Sequence, residues 1–348
     1  MRRLVTYDGE AFSLQEFTLP EPGPHDVRVQ VTFAAPKHGT EGHLLTGCVL
    51  DRKEFDPQLR MFLPRERNEA ASAAPQERVV GNMVVGTVTA VGDAVTRWRP
   101  GDRVFGSGRI QEMAQAPEDR WYALGTLSDA DAVCVDPLHV ALVAIRDGQV
   151  RLGDTVAVYG LGAIGLMAVQ AARASGARQV FGVDPSPLRR SCAEQLGAHA
   201  TFDPNVCDVA LEIKRATGGA GVDVALEVSS NSRALHEAIR CLRQCGTVVL
   251  VAWGPHDCSH LHLDEEFHLN RPTLIGSQAW AGWGNPDRDH PRWTPERAYA
   301  TAIDLLRDGV ATGDPVVTPV IAFEEAPAVI GALMRDAGAA IKVGVRFH

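Results

Sequence analysis

Cys-x-x-Cys pairs are missing from this chain. Its seven cysteines, Cys48, Cys134, Cys192, Cys207, Cys241, Cys245 and Cys258, are odd in number and widely spaced. That excludes a disulfide framework and suits reduced thiols in a cytoplasmic protein. No apolar run approaches the ~20 residues of a membrane span. The start, Met1 to Thr6, carries an arginine pair, but Asp8, Glu10 and Gln15 interrupt the next residues, so no signal peptide is expected. Lys/Arg clusters stay at two or three residues and the net charge is −9, so neither nucleic acid nor an anionic membrane is an expected partner. Hydrophobic content of 45% is ordinary for a globular chain, and 348 residues are long for one core, so two domains are expected.

Against these absences stands Gly160-Leu161-Gly162-Ala163-Ile164-Gly165. An apolar run, Thr155–Tyr159, precedes it and reads as a buried strand. A helical pattern, Ala163–Ala174, grows out of it. A second apolar run, Gln179–Val183, ends at Asp184, nineteen residues past the third glycine. Strand, glycine turn, helix, strand and acid form the dinucleotide-binding βαβ unit. Gly160 permits the tight turn, Gly162 lets the backbone approach a pyrophosphate, and Gly165 lets helix and strand pack closely. The helix start favours phosphate charge. Asp184 can accept from both ribose hydroxyls of an adenosine and repels a 2′-phosphate, so NAD is expected over NADP. Arg189-Arg190 leaves a lesser case for NADP, their ordinary reading being helix-surface arginines.

Around this unit the pattern changes twice. Residues 1 to about 135 read as all-β, with runs at Val27–Phe33, Met83–Val91 and Val104–Gly106 between Gly and Pro turns. From Gln149, strands and helices alternate. The strands are Thr155–Tyr159, Gln179–Val183, Ala200–Phe202, Val222–Val228, Thr247–Ala252 and Thr273–Ser277. The helices are Ala163–Ala174, Pro187–Leu196, Asp208–Ala216 and Ser232–Arg240. Six strands in two βαβαβ halves predict a doubly wound sheet. Next come a loop, Ala279–Pro295, and a helix, Glu296–Arg307. In that loop Trp280, Trp283 and Trp293, with Asn285, Asp287 and His290, either stack on a sugar ring or anchor the loop. His256, His260, His262 and His268 read as a polar loop, and Glu265-Glu266 as hydroxyl ligands or a turn cap.

End to end, the chain resembles the medium-chain dehydrogenase/reductase family, the zinc alcohol and polyol dehydrogenases. The resemblance rests on Gly86 to Gly92 followed by Pro100-Gly101-Asp102-Arg103-Val104, on Asp136-Pro137-Leu138, on the turn Gly160–Gly165 and on Phe323-Glu324-Glu325-Ala326. It implies an α/β protein: a GroES-like β-rich catalytic domain (1–136 and 282–348) plus a doubly wound Rossmann NAD-binding domain (137–281), in a homodimer or homotetramer. The implied cofactor contacts are Gly160, Gly162, Ala163, Ile164, Gly165, Asp184, Arg189, Val228 and Ser229.

The family's metal ligands are another matter. Its Cys-Gly-[Ser/Thr]-Asp-x-His run reads His38-Gly39-Thr40-Glu41-Gly42-His43 here, and its Gly-His-Glu run reads Gly81-Asn82-Met83. The stretch Phe105–Trp121, where a four-cysteine zinc lobe belongs, has no cysteine, so a structural zinc site is not expected. His38, Asp136 and either Glu41 or His139 offer a rearranged ligand set, but the metal-free reading is favoured. Without a Lewis acid, a side chain must take the hydroxyl proton and donors must hold the oxyanion. The resemblance places His38 as base, Thr40 on the reacting oxygen and His43 as outer relay. Lys37 is an oxyanion donor, and Glu41 and Asp136 fix the His38 tautomer. The expected function is therefore zinc-independent, NAD-dependent oxidation of a secondary alcohol of a polyol, sugar or cyclitol, or the reverse. The alternatives are a zinc-free NADPH enone or quinone reductase and a non-catalytic NAD-binding protein.

Overall fold

The computed structural model describes residues 1–7, 9, 11–37, 49–64, 77–254, 258–279, 284 and 286–348. The first stretch forms β1 (Arg2–Thr6), β2 (Phe12–Glu16), β3 (Asp26–Ala35), β4 (Lys53–Asp56), β5 (Met61–Pro64), β6 (Arg78–Val79), β7 (Met83–Val91), β8 (Arg103–Ser107), β9 (Met113–Pro117) and β10 (Trp121–Ala123). Then come α1 (Asp129–Asp147), β11 (Thr155–Tyr159), α2 (Ala163–Ala174), β12 (Gln179–Val183), α3 (Pro187–Gln195), β13 (Ala200–Phe202) and α4 (Val209–Ala216). They are followed by β14 (Val222–Glu227), α5 (Ser232–Arg240), β15 (Leu242–Leu250), α6 (Glu266–Asn270), β16 (Thr273–Gly276) and α7 (Pro295–Arg307). The chain closes with β17 (Val317–Ala322), α8 (Ala326–Arg335) and β18 (Lys342–Arg346).

Two compact units divide this chain: residues 1–134 with 313–348, and residues 135–312. In the first, a seven-stranded sheet runs β10-β8-β7-β3-β18-β17, with β9 also on β3. Along β3, Val27, Val29, Val31 and Phe33 are buried at the period of two that gives a strand one core face. They join Val84, Val88, Val104 and Trp121 in the core. The second unit is a parallel sheet, β13-β12-β11-β14-β15-β16, which is the doubly wound order with a switch point between β11 and β14. Every residue of β11 is buried, as a central parallel strand covered on both faces requires. Among the described residues no helix is long and apolar enough to cross a membrane.

Two expectations need correction. The stretch before residue 135 is not all-β, because α1 starts at Asp129 and runs 19 residues with Pro137 inside it. The Ser128 hydroxyl accepts the Asp131 N–H at 3.0 Å, and this cap starts the helix. The segment 282–312, expected in the first domain, belongs instead to the compact unit containing the parallel sheet, which runs to Thr312. The Gln170 side chain on α2 explains this: Nε2 donates to the Thr312 carbonyl at 3.1 Å, and Oε1 accepts the Thr312 N–H at 2.8 Å. Arg146 adds an ion pair to Asp289 at 3.1 Å, and its guanidinium lies 3.6 Å from the Trp293 ring centre.

Candidate functional site

The glycine turn sits at the switch point of the parallel sheet. Gly160 leaves β11 at φ +93°, and its N–H donates to the Val183 carbonyl at 2.8 Å. A Cβ on Gly160 would stand 2.9 Å from Ser229 Cβ, and one on Gly165 would stand 1.9 Å from the Gly160 carbonyl oxygen. Nothing lies within 4 Å of the Cβ position at Gly162, which caps α2 without a side-chain hydrogen bond. No acidic side chain occupies the first turn of α2. The helix thus presents uncapped N–H groups beside open space, which is the requirement for holding a phosphate. A dinucleotide fits these residues.

Asp184 directly follows β12 and is 3% exposed. Its Oδ2 accepts the Leu161 N–H at 2.9 Å, and its Oδ1 accepts the Ser186 N–H at 2.8 Å. Arg189 Nη1 lies 3.6 Å from Oδ2. The carboxylate therefore braces the glycine turn, a task that no sequence spacing reveals, and it keeps further lone pairs for a ligand. The two arginines are not surface groups, since their side chains are 19% and 21% exposed. Arg190 donates to the carbonyls of Asp184 (2.7 Å) and Pro185 (2.8 Å) and pairs with Asp203 (3.0 Å), tying the ends of β12 and β13 together.

Across the switch point, the Val228 N–H donates to the Tyr159 carbonyl at 2.8 Å. Glu227, fully buried, accepts the Ser229 N–H at 2.7 Å and the Ser229 hydroxyl. Gly160, Val228 and Ser229 are brought together in this way. Glu227 is absent from the residues singled out by sequence, although an acid closing an apolar strand must find a partner when buried.

His38, Thr40, Glu41 and His43 lie outside the described residues. Lys37 is half-buried at the exit of β3, where the buried Lys342 Nζ donates to the Pro36 carbonyl at 2.9 Å. Asp136 is half-buried on α1. Lys37 belongs to the first compact unit and Asp136 to the second. At the family's Gly-His-Glu position, Asn82 offers a carboxamide and Met83 a thioether that is 2% exposed at the head of β7. These donors do not fit zinc. The stretch 105–121 supplies β9 and parts of β8 and β10, and those strands pair with β3 and with each other.

Within the second unit, a cavity of about 470 Å³ is lined by His139, Asp147, Gln278, Asp287 and Arg288, among others. Burial raises the Asp147 carboxyl above the ordinary carboxylate range, while a Ser277 hydrogen bond and Arg288 oppose the shift. Trp293 is no free platform for a sugar, because its ring has Arg146 at 3.6 Å and Arg297 at 4.4 Å. Trp280, Trp283 and Asn285 lie outside the described residues.

Comparison with known proteins supports the same architecture. Residues 23–171 match the alcohol dehydrogenase GroES-like domain, and residues 163–285 match the zinc-binding dehydrogenases. The chain is 34% identical over 333 residues to the D-guloside 3-dehydrogenase of Escherichia coli strain K12, with 94% of each chain covered. It is 31% identical over 294 residues to the (R,R)-butanediol dehydrogenase of Bacillus subtilis strain 168, covering 76% of this chain and 80% of that one. The crystal structure of 2R,3R-butanediol dehydrogenase from Bacillus subtilis matches with a TM-score of 0.76 at 25% identity over 99% of both chains. Galactitol-1-phosphate dehydrogenase from Escherichia coli shares the fold, with a TM-score of 0.78 at 20% identity, over 99% of this chain and 100% of that one. A chain this similar to dehydrogenases along nearly its whole length belongs to the medium-chain dehydrogenase/reductase family, and it is a nicotinamide-dinucleotide-dependent oxidoreductase acting on CH–OH groups.

Proposed function

We propose that this protein is an NAD-dependent dehydrogenase that oxidises a ring or chain secondary alcohol of a polyol, sugar or cyclitol without zinc. The observation that carries the cofactor reading is the Asp184 carboxylate, fixed beside the glycine turn where an adenosine ribose would lie. Similarity to a protein named D-guloside 3-dehydrogenase supports a sugar-like alcohol. The Asn82 and Met83 donors support a site without zinc. The bound dinucleotide supplies the hydride acceptor. The chain's own residues move the proton: His38 takes it from the substrate hydroxyl, Thr40 holds the reacting oxygen, and His43 passes the proton on. Glu41 fixes the imidazole tautomer and Lys37 donates to the oxyanion. The edge position of β16 in its sheet supports assembly as a homodimer or homotetramer, and the six cysteines among the described residues, all free thiols, support a cytoplasmic setting.

Two measurements test this reading. A panel of polyols, glycosides and cyclitols is assayed with NAD before and after exhaustive chelation, and turnover is expected to survive the chelator. Loss of turnover on chelation, restored by added zinc, would overturn zinc independence. Calorimetry is expected to show NAD binding at least about tenfold tighter than NADP, since a charge-assisted hydrogen bond is worth roughly 1.5–3 kcal/mol. Asp184→Ala should narrow that gap. It should also weaken both ligands, because the Leu161 and Ser186 N–H groups lose their acceptor. Equal or tighter NADP binding to the unmodified protein contradicts the assignment.

A further inference from the structure

A group of imidazole and carboxylate side chains lies on α5, on the segment leading into α6 and at the first residue of α6. The apolar residues of α5, Leu235, Ala238 and Ile239, are buried in the core. His236, beside Leu235, points to the flank, where the connection after β15 folds back. Its Nε2 lies 3.9 Å from Glu265 Oε2. The His262 ring meets the His236 ring edge-on, with centroids 5.1 Å apart. One ligand atom from each of His236, Glu265 and Glu266 lies within 4.8 Å of the other two.

Two atoms of this group lack an explanation within the protein. His236 Nδ1 and Glu266 Oε2 are buried and have no hydrogen-bond partner. Orphaned buried polar atoms are rare, and a carboxylate oxygen left without a donor beside an imidazole calls for a cation. Such an ion takes His236 through one ring nitrogen, Nε2, the one that faces Glu265. Arg240 Nε stands 3.5 Å from Glu266 Oε1, but its charge is already met by both oxygens of Asp208 at 3.0 Å and by Glu237 at 2.7 Å. Drawing Glu266 toward a metal does not leave that guanidinium alone.

We propose that His236, Glu265 and Glu266, with His262 as fourth donor, bind one divalent ion of the zinc, cobalt and nickel class. Imidazole and carboxylate without thiolate suit these ions, whereas magnesium and calcium call for oxygen alone. Ligand atoms around a tetrahedral zinc at ~2.0–2.1 Å stand about 3.4 Å apart, so His236, Glu265 and Glu266 must close on binding, and the His262 ring, which stands outside their 4.8 Å group, must turn toward the ion. Glu265, with a side chain 54% exposed, has room to do so. The ion would staple α5 to the connection between β15 and β16, a structural role separate from turnover.

The test uses the full-length protein after chelation. Titration with Co²⁺, monitored by visible absorption, should show one saturable tetrahedral-type site per chain. Zn²⁺ should displace it, and thermal stability should rise with either ion. His236→Ala should abolish the cobalt bands and weaken binding by at least about tenfold. Glu265→Gln, exposed and isosteric, should weaken binding without any loss of folding. Absence of saturable cobalt binding overturns the site, as does unchanged binding in both variants. A zinc-dependent turnover that survives His236→Ala would instead count against the zinc-free active site, so the two readings fail separately.

Discussion

Gly165→Val should fold less stably and lose dinucleotide binding, whereas Gly162→Ala should fold normally and lose binding alone. The difference lies in the surroundings of each new Cβ. At Gly165 it would stand 1.9 Å from the Gly160 carbonyl oxygen, a backbone atom that cannot swing aside. The first turn of α2 must then move off β11, and the turn held by Asp184 moves with it. Overpacking of this kind costs typically ~1–3 kcal/mol, and a backbone clash belongs at the upper end. At Gly162 the Cβ meets nothing within 4 Å, and the backbone, at φ −69°, accepts alanine. Exchanging glycine for alanine at this cap costs about 0.5–1 kcal/mol, too little to unfold the domain. The methyl group would occupy the space that a pyrophosphate needs against the helix start. Thermal denaturation without ligand and NAD calorimetry separate the two effects. NAD affinity in Gly162→Ala equal to that of the unmodified protein would remove the glycine turn as the phosphate site.

Parts of this molecule are legible in the sequence because burial leaves a periodic trace. Thr155–Tyr159, Gln179–Val183, Ala200–Phe202, Ala163–Ala174 and Ser232–Arg240 have the same bounds in the sequence reading and in the structure. The inner strands β11 and β12, nearly all buried, read as apolar runs, and the helices between strands carry one apolar side. Elsewhere the trace fails for identifiable reasons. Pro137 and the polar Asp136 read as a junction, yet Pro137 is tolerated inside α1. β15 begins at Leu242, five residues before the apolar run, because Arg243, Gln244 and Cys245 are exposed and Cys245 sits at φ +57°. Partnerships across the chain leave no spacing rule. Asp184 is visible as an acid, but its hold on Leu161 is not. His262 reads as part of a loop of histidines, while its actual neighbour, His236, comes 26 residues earlier.

The largest expected effect on chemistry lies at His38. Its position in the run His38-Gly39-Thr40-Glu41-Gly42-His43 is where the resembled family places its first metal ligand, and Asn82 removes the partner that a zinc would need. A proton must still leave the substrate hydroxyl before or with the hydride. An imidazole with an ordinary pKa of ~6.5 is matched to that task at neutral pH. Loss of a general base typically costs ~10²–10⁴ in rate. His38→Ala is therefore expected to lower kcat by that order and leave NAD affinity nearly unchanged, because the glycine turn and Asp184 belong to the other compact unit. The pH profile of kcat/KM for alcohol oxidation should rise through an apparent pKa in the neutral range, as the imidazole must be unprotonated to accept the proton. That limb should vanish in the variant. Should His38→Ala retain nearly full kcat with its pH limb intact, the base lies elsewhere, and Lys37, Glu41 or Asp136 takes over the role.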